Sequence, residues 1–117
     1  MAAPNIVNVA TITGKTAVQA VGTSATAIVT NSSSSGKVFK VNALYVANID
    51  GTNAADITVD LFRSSTAYPI ASTISIPADA SLDIVSKALY LEEGDSLRCT
   101  ASAAGDLVAV CSYEEIS

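Results

Sequence analysis

The sequence predicts an all-β chain, an antiparallel β-sandwich of jelly-roll-like form with an N-terminal arm, and three observations carry that expectation. Turn-forming residues recur at short intervals, the segments between them are strand-sized, and within those segments apolar and polar residues alternate. Composition points the same way: Val, Ile and Thr recur in short runs, with two Phe, four Tyr and no Trp. Such a chain favours pleated sheet around a thin, lightly aromatic core. At 117 residues it has the size of one domain.

The turn marks are Thr13-Gly14-Lys15, Gly22-Thr23-Ser24, Asn31 to Gly36, Asp50 to Asn53, Ser64-Ser65-Thr66, Pro77-Ala78-Asp79, Glu93-Gly94-Asp95 and Ala104-Gly105-Asp106. Residues 1–21, which hold Pro4 and Gly14 and alternate loosely, read as an N-terminal arm or an edge strand, and residues 22–117 as the sandwich domain. Ala25 to Thr30 is a weak strand, and Asn31 to Gly36 a flexible, polar loop standing in solvent. Val38 to Asn48 is evenly apolar, as expected of a central strand covered on both faces.

From Ala55 to Leu61 the period is two: Ala55, Ile57, Val59 and Leu61 form one face, Asp56, Thr58 and Asp60 the other. Ile70, Ile74 and Ile76 share a face in the next run, and Leu82 and Ile84 follow the Pro77 turn. The runs Leu97 to Ala101 and Leu107 to Tyr113 flank the Ala104-Gly105-Asp106 turn and read as a hairpin. Pairing Ala103 with Leu107 sets Cys99 opposite Cys111. The expected core includes Ile57, Val59, Leu61, Ile74, Leu97 and Leu107, with Asp56, Asp60 and Arg98 in solvent.

The chemistry such a chain can perform is narrow. Histidine is absent, which removes Ser-His-Asp and Cys-His arrangements and His-ligated metals. Glu92, Glu93 and Asp95 gather around Gly94, but the spacing is not that of an EF-hand, and a solvated turn accounts for them. Asp50-Gly51-Thr52-Asn53 reads as a hairpin turn in which Gly51 takes a positive φ and a side-chain oxygen accepts a local hydrogen bond.

Asp106, Glu114 and Glu115 make no glycosidase pair, because adjacent strand residues point to opposite faces. Cys99 and Cys111 read as a cross-strand disulfide, a pair of reactive thiols or two small buried hydrophobes, and their phase with Leu97 and Tyr113 together with synthesis in the cytoplasm favours buried, reduced thiols. No catalytic, cofactor-binding or metal-binding residue is assigned, and no cofactor is expected. The chain is expected not to be an enzyme.

A net charge of −5, from 11 acidic and 6 basic residues, opposes binding to nucleic acid or to an anionic membrane. Lys37, Lys40 and Lys87 are dispersed and form no basic stripe. Met1 to Asn5 carry no basic cluster, and Ile6 to Ile12 is too short and polar for a signal-peptide core or a membrane span. The expectation is a soluble protein made in the cytoplasm.

Four stretches carry a resemblance: Tyr45 to Asn53, Ile57 to Leu61, Ile74 to Ala80, and Leu89 to Leu97, together with the ending Val110 to Ile116. Over residues 38–116 the chain resembles small virion structural proteins of tailed bacteriophages, the marine and cyanobacterial type, and Asn5 to Val9 fits more loosely. The resemblance implies a repeated, non-enzymatic piece of a particle, located in the virion after synthesis in the host cytoplasm. The first expectation is a capsid decoration or cement protein that stabilises the head by bridging major capsid protein subunits. The alternative is a neck, collar or tail-associated protein that forms a ring or anchors fibres, its partners being neck or tail proteins of the same particle. Either role implies a homo-oligomer. From another class comes a carbohydrate-binding adhesion module, for which Tyr45, Tyr68, Tyr90 and Tyr113 are the available platforms, Tyr45 and Tyr113 being expected inward.

Overall fold

The computed structural model describes residues 10–117. Nine strands run through them: β1 (Ile12–Ala20), β2 (Thr26–Thr30), β3 (Val38–Asn48), β4 (Ala55–Arg63), β5 (Thr66–Ile76), β6 (Ser81–Asp83), β7 (Leu89–Leu91), β8 (Ser96–Ala101) and β9 (Leu107–Ile116). One sheet has the order β1-β9-β3-β6, with β7 also on β3, and the other the order β2-β8-β4-β5. Every ladder is antiparallel.

The two sheets remain open, which corrects the jelly-roll-like expectation. Neither curls round nor closes on the other; what stands is an all-β, antiparallel two-sheet fold. The edge strands account for it, because β6 and β7 have three residues each and the β2 and β5 ladders are broken by register shifts. Such edges give no regular ladder on which the facing sheet could continue.

β4 and β5 form a two-residue hairpin, since Arg63 pairs with Thr66 and both Ser64 (φ 51) and Ser65 (φ 60) are left-handed. Positive φ at both central residues is the signature of a type I′ turn, here formed without glycine. The hairpin expected at Asp50 to Asn53 does not form, because β3 and β4 belong to different sheets, and Gly51 lies outside the left-handed region, so the expected positive φ there is not used.

The hairpin expected between β8 and β9 does not form. The turn at Ala104-Gly105-Asp106 instead carries the chain from one sheet to the other: β8 pairs with β2 and β4, and β9 with β1 and β3. Cys99 and Cys111 therefore belong to facing sheets rather than neighbouring strands, and both are buried and unbridged. Burial pushes the Cys99 thiol up to about 12, with Cys111 and Asp60 adding to the shift, and pushes Cys111 up to about 11. Both stay protonated at neutral pH and pack as small apolar groups.

The core is almost wholly aliphatic, with Leu44, Ile57, Ile76, Leu91, Leu97 and Leu107 fully enclosed. β3 is central but covered on one face: a register shift between Val41 and Ala43 takes up one residue, so Phe39, Val41, Leu44, Val46 and Asn48 all point inward. Tyr45 is 51% exposed, against the inward expectation. Leu61 is half-buried, and Ile74, although paired with Ile57, is 40% exposed because β5 is an edge. Asp60 is buried, since Arg98 lies beside it and donates to both its oxygens at 2.8 and 3.2 Å. The Arg98 guanidinium also stacks 4.0 Å above the Phe62 ring, so neither charge is as open to water as its outward parity suggested.

Truncation should separate these positions. Ile57→Ala is expected to lose about 2–5 kcal/mol in denaturant melts and Ile74→Ala less than about 1 kcal/mol. Equal losses would contradict the assignment of faces.

Candidate functional site

At the end of the sandwich where β3 begins, three segments meet: the β2–β3 loop, the end of β4 and the turn between β7 and β8. They line an open cleft of about 440 Å³ formed by Ser33, Arg63, Ser64, Glu92, Glu93, Gly94 and Asp95. Its centre is an ion pair that sequence reading missed. Arg63 donates through Nε to Asp95 Oδ1 at 2.8 Å, through Nη2 to Asp95 Oδ2, and again through Nη2 to Glu92 Oε2 at 2.8 Å.

Asp95 is therefore not part of a solvated turn. It is buried, and its Oδ2 also accepts from the Glu92 backbone N–H at 2.9 Å. The Arg63 hydrogen bonds hold its carboxyl below the usual carboxylate range despite burial, and the Glu92 N–H assists. Glu93 accepts from the Gly36 N–H at 3.0 Å. Glu92 and Asp95 thus share Arg63 while Glu93 serves the β2–β3 loop, and among the described residues no group of three or more His, Cys, Asp or Glu is placed to hold a metal ion.

Asn31 ties the second loop to this turn, correcting the expectation of a loop wholly in solvent. Fully buried, it donates through Nδ2 to the Lys37 and Leu91 carbonyls at 2.9 Å each, while its backbone exchanges hydrogen bonds with Gly94 and Asp95. Ser32, Ser33 and Ser34 alone remain exposed in that run. The hydroxyls of Ser33 and Ser64 border the cleft beside Glu92 and Asp95, both held by Arg63, and Glu93, held by the Gly36 N–H. The arrangement locks loops.

At the other end of β3, Asn48 plays the same part, donating to the Asn53 and Ile76 carbonyls at 2.9 and 3.0 Å. Asp50 accepts from the N–H groups of Thr52 and Asn53, which hold its carboxyl below the ordinary value. Glu115 is bridged by Lys15 at 3.0 Å and Lys37 at 3.1 Å; burial pushes its carboxyl up, but the two ammonium groups outweigh burial and hold it low. Asp106 sits in the β8–β9 turn at the far end of β9 from Glu114 and Glu115, so these three carboxylates are not brought together.

The sheet edges and outer faces are the other candidate surface. Across the first sheet, register aligns Val18 of β1, Val110 of β9 and Tyr45 of β3 in one outward row. Val18 is 73% exposed, the most open of the large apolar side chains among the described residues. Tyr68 is also exposed but belongs to the other sheet, so the tyrosines do not form one stacking platform. No helix among the described residues is long and apolar enough to cross a membrane.

No family model matches the chain, and no curated protein matches it. Among solved structures it is similar to a protein of Bacillus endospore appendages, described as a novel family of disulfide-linked pili. The TM-score is 0.53 at 16% identity, over 92% of this chain and 88% of that one. At that identity the likeness is one of fold.

The ion pair has a pH signature. Because the folded pKa of Asp95 is depressed, its contribution is complete above the ordinary carboxylate value of about 4 and is lost as pH falls through the lower folded value. Melting temperature should therefore decline below about pH 4, and Asp95→Asn should flatten that decline while lowering the plateau at neutral pH. An unchanged acid limb in Asp95→Asn would contradict the role given to this carboxylate.

Proposed function

We propose that the chain is a non-enzymatic structural subunit of a phage virion, and we place the neck, collar or tail-associated role, forming a ring or anchoring fibres, ahead of head decoration. The observation that carries this order is the fold-level likeness to a subunit of a filamentous appendage, which covers nearly the whole sandwich. A protein that extends or anchors an appendage repeats one rigid unit along a line or around a ring. The structure suits such use: Arg63 with Asp95 at one end and Asp50 at the other hold loops, and its exposed large apolar groups, Ile49 apart, lie on strands. Its partners in this reading are copies of itself and neck or tail proteins of the same particle. A cement protein bound to major capsid protein is the second reading, supported by the sequence resemblance of residues 38–116.

Gold-labelled antibodies against the purified protein, applied to intact particles, distinguish the two. Label confined to the neck or tail is expected. Label spread over the head faces would favour cement, and particles free of the protein while the infected lysate contains it would contradict both.

A further inference from the structure

Of the sheet edges, β1 is the one that is both long and regular, with Lys15 as its single charged side chain. β5 carries Pro69, two register shifts and Thr73 at φ 47; the β2 ladder is broken between Ala27 and Val29; β6 and β7 have three residues each. Natural edges are blunted by such features. β1 has nine residues, no proline, and an unbroken register with β9 from Ile12↔Ile116 to Ala20↔Val108.

The hydrogen-bond pattern tells which backbone groups face outward. Thr11 and Ser117 exchange both of their hydrogen bonds at 2.9 Å, and Val21 N–H donates to Leu107 C=O at 2.9 Å. In an antiparallel ladder such pairs alternate with pairs that turn their backbone groups away. Odd-numbered residues of β1 therefore bond to β9, while Ile12, Gly14, Thr16, Val18 and Ala20 present N–H and C=O at the free edge. Among the described residues, no backbone partner is recorded for these five.

We propose that this edge pairs antiparallel with β1 of a second copy about a twofold axis at Thr16, joining two first sheets into one continuous sheet. The strand is self-complementary in that register. Thr16 meets Thr16 of the second copy, Gly14 meets its Val18, and Ile12 meets its Ala20, all being residues whose backbone groups point outward. A Cβ added to Gly14 would find nothing within 4 Å, and the open space is where the second copy's Val18 lies. Glycine within a strand often marks the close approach of another backbone. Lys15, the one charged residue of β1, falls opposite Ala17 of the second copy, so no like charges oppose one another. The seam also draws together the outward rows of Val18, Val110 and Tyr45 from both copies.

This proposal deepens the structural-subunit reading by naming its first partner, yet it is judged on purified protein and does not depend on where in a particle the chain sits. Sedimentation equilibrium of the full chain between about 1 and 200 μM is the test, because a seam of this length is near the small end of stable interfaces. The wild type should be dimeric at the upper end. Thr16→Pro removes an outward N–H and leaves the β9 ladder intact, so it should be monomeric with little change in melting temperature. Thr16→Lys, which sets two lysines directly opposite each other on the twofold axis and leaves the backbone unaltered, should weaken the dimer at least tenfold. A monomeric wild type at 200 μM would overturn the proposal, leaving the edge to residues 1–9 of the same chain or to a different protein. Dimers that persist in both variants would overturn it equally, by placing the contact elsewhere. Failure in particle labelling with an intact dimer would fault the virion reading and leave this one standing.

Discussion

Between the two sheets lies a layer of Val, Leu, Ile and Ala with two thiols, in which Phe39 is the largest buried ring. A layer so thin in aromatic volume is filled only if each strand keeps delivering a side chain at every second position. Where the count slips, the chain inserts a bulge rather than a void: between Val41 and Ala43 in β3, and between Ile57 and Asp60 in the ladder of β4 with β5. The bulges restore phase inside, and the ones in β5 also spoil that edge for pairing. The free edge of β1 remains regular because its ladder with β9 needs no such repair.

The ends of the sandwich face the opposite problem, burying loop carbonyls that no strand can satisfy. Asn31 and Asn48 solve it at the two ends of β3, each with one side-chain amide donating to two carbonyls. Arg63 and Asp95 add a charged lock beside Asn31. Buried amides and ion pairs of this kind fix geometry more than they add stability. Asn31, Asn48, Arg63 and Asp95 are thereby occupied in holding loops, and strand edge and outer sheet face offer the broader open surface.

Much of this was legible in the alternation of residues. Val38 to Asn48, Ala55 to Leu61, Leu97 to Ala101 and Leu107 to Tyr113 are strands with the inward residues that period two assigns, apart from Leu61, which is half-buried, and β3, whose bulge at Asn42 makes a one-sided strand look apolar throughout. The sheet partners were not legible. A turn such as Ala104-Gly105-Asp106 joins two strands in one sheet or carries the chain across to the other, and local residues do not distinguish these; hence the expected Cys99 to Cys111 neighbours became facing thiols. The curl implied by a jelly-roll-like form was equally beyond reach, since it depends on how edges end. The Arg63–Asp95 lock spans residues far apart in sequence, and the one available hint was an isolated arginine at the end of an amphipathic strand followed by a serine turn. Asp60 and Arg98 were assigned to solvent by parity alone, which takes no account of a pair on the outer face shielding itself.

If assembly through the edge of β1 is the central property of this molecule, its backbone amides must record it. Hydrogen exchange resolved to single residues across β1, at a concentration where copies associate, should find Ile12, Gly14, Thr16, Val18 and Ala20 as protected as Thr13, Lys15, Ala17 and Gln19, which bond to β9. On dilution the even-numbered amides alone should become fast. An alternating pattern at every concentration, with those five amides always open, would contradict the account.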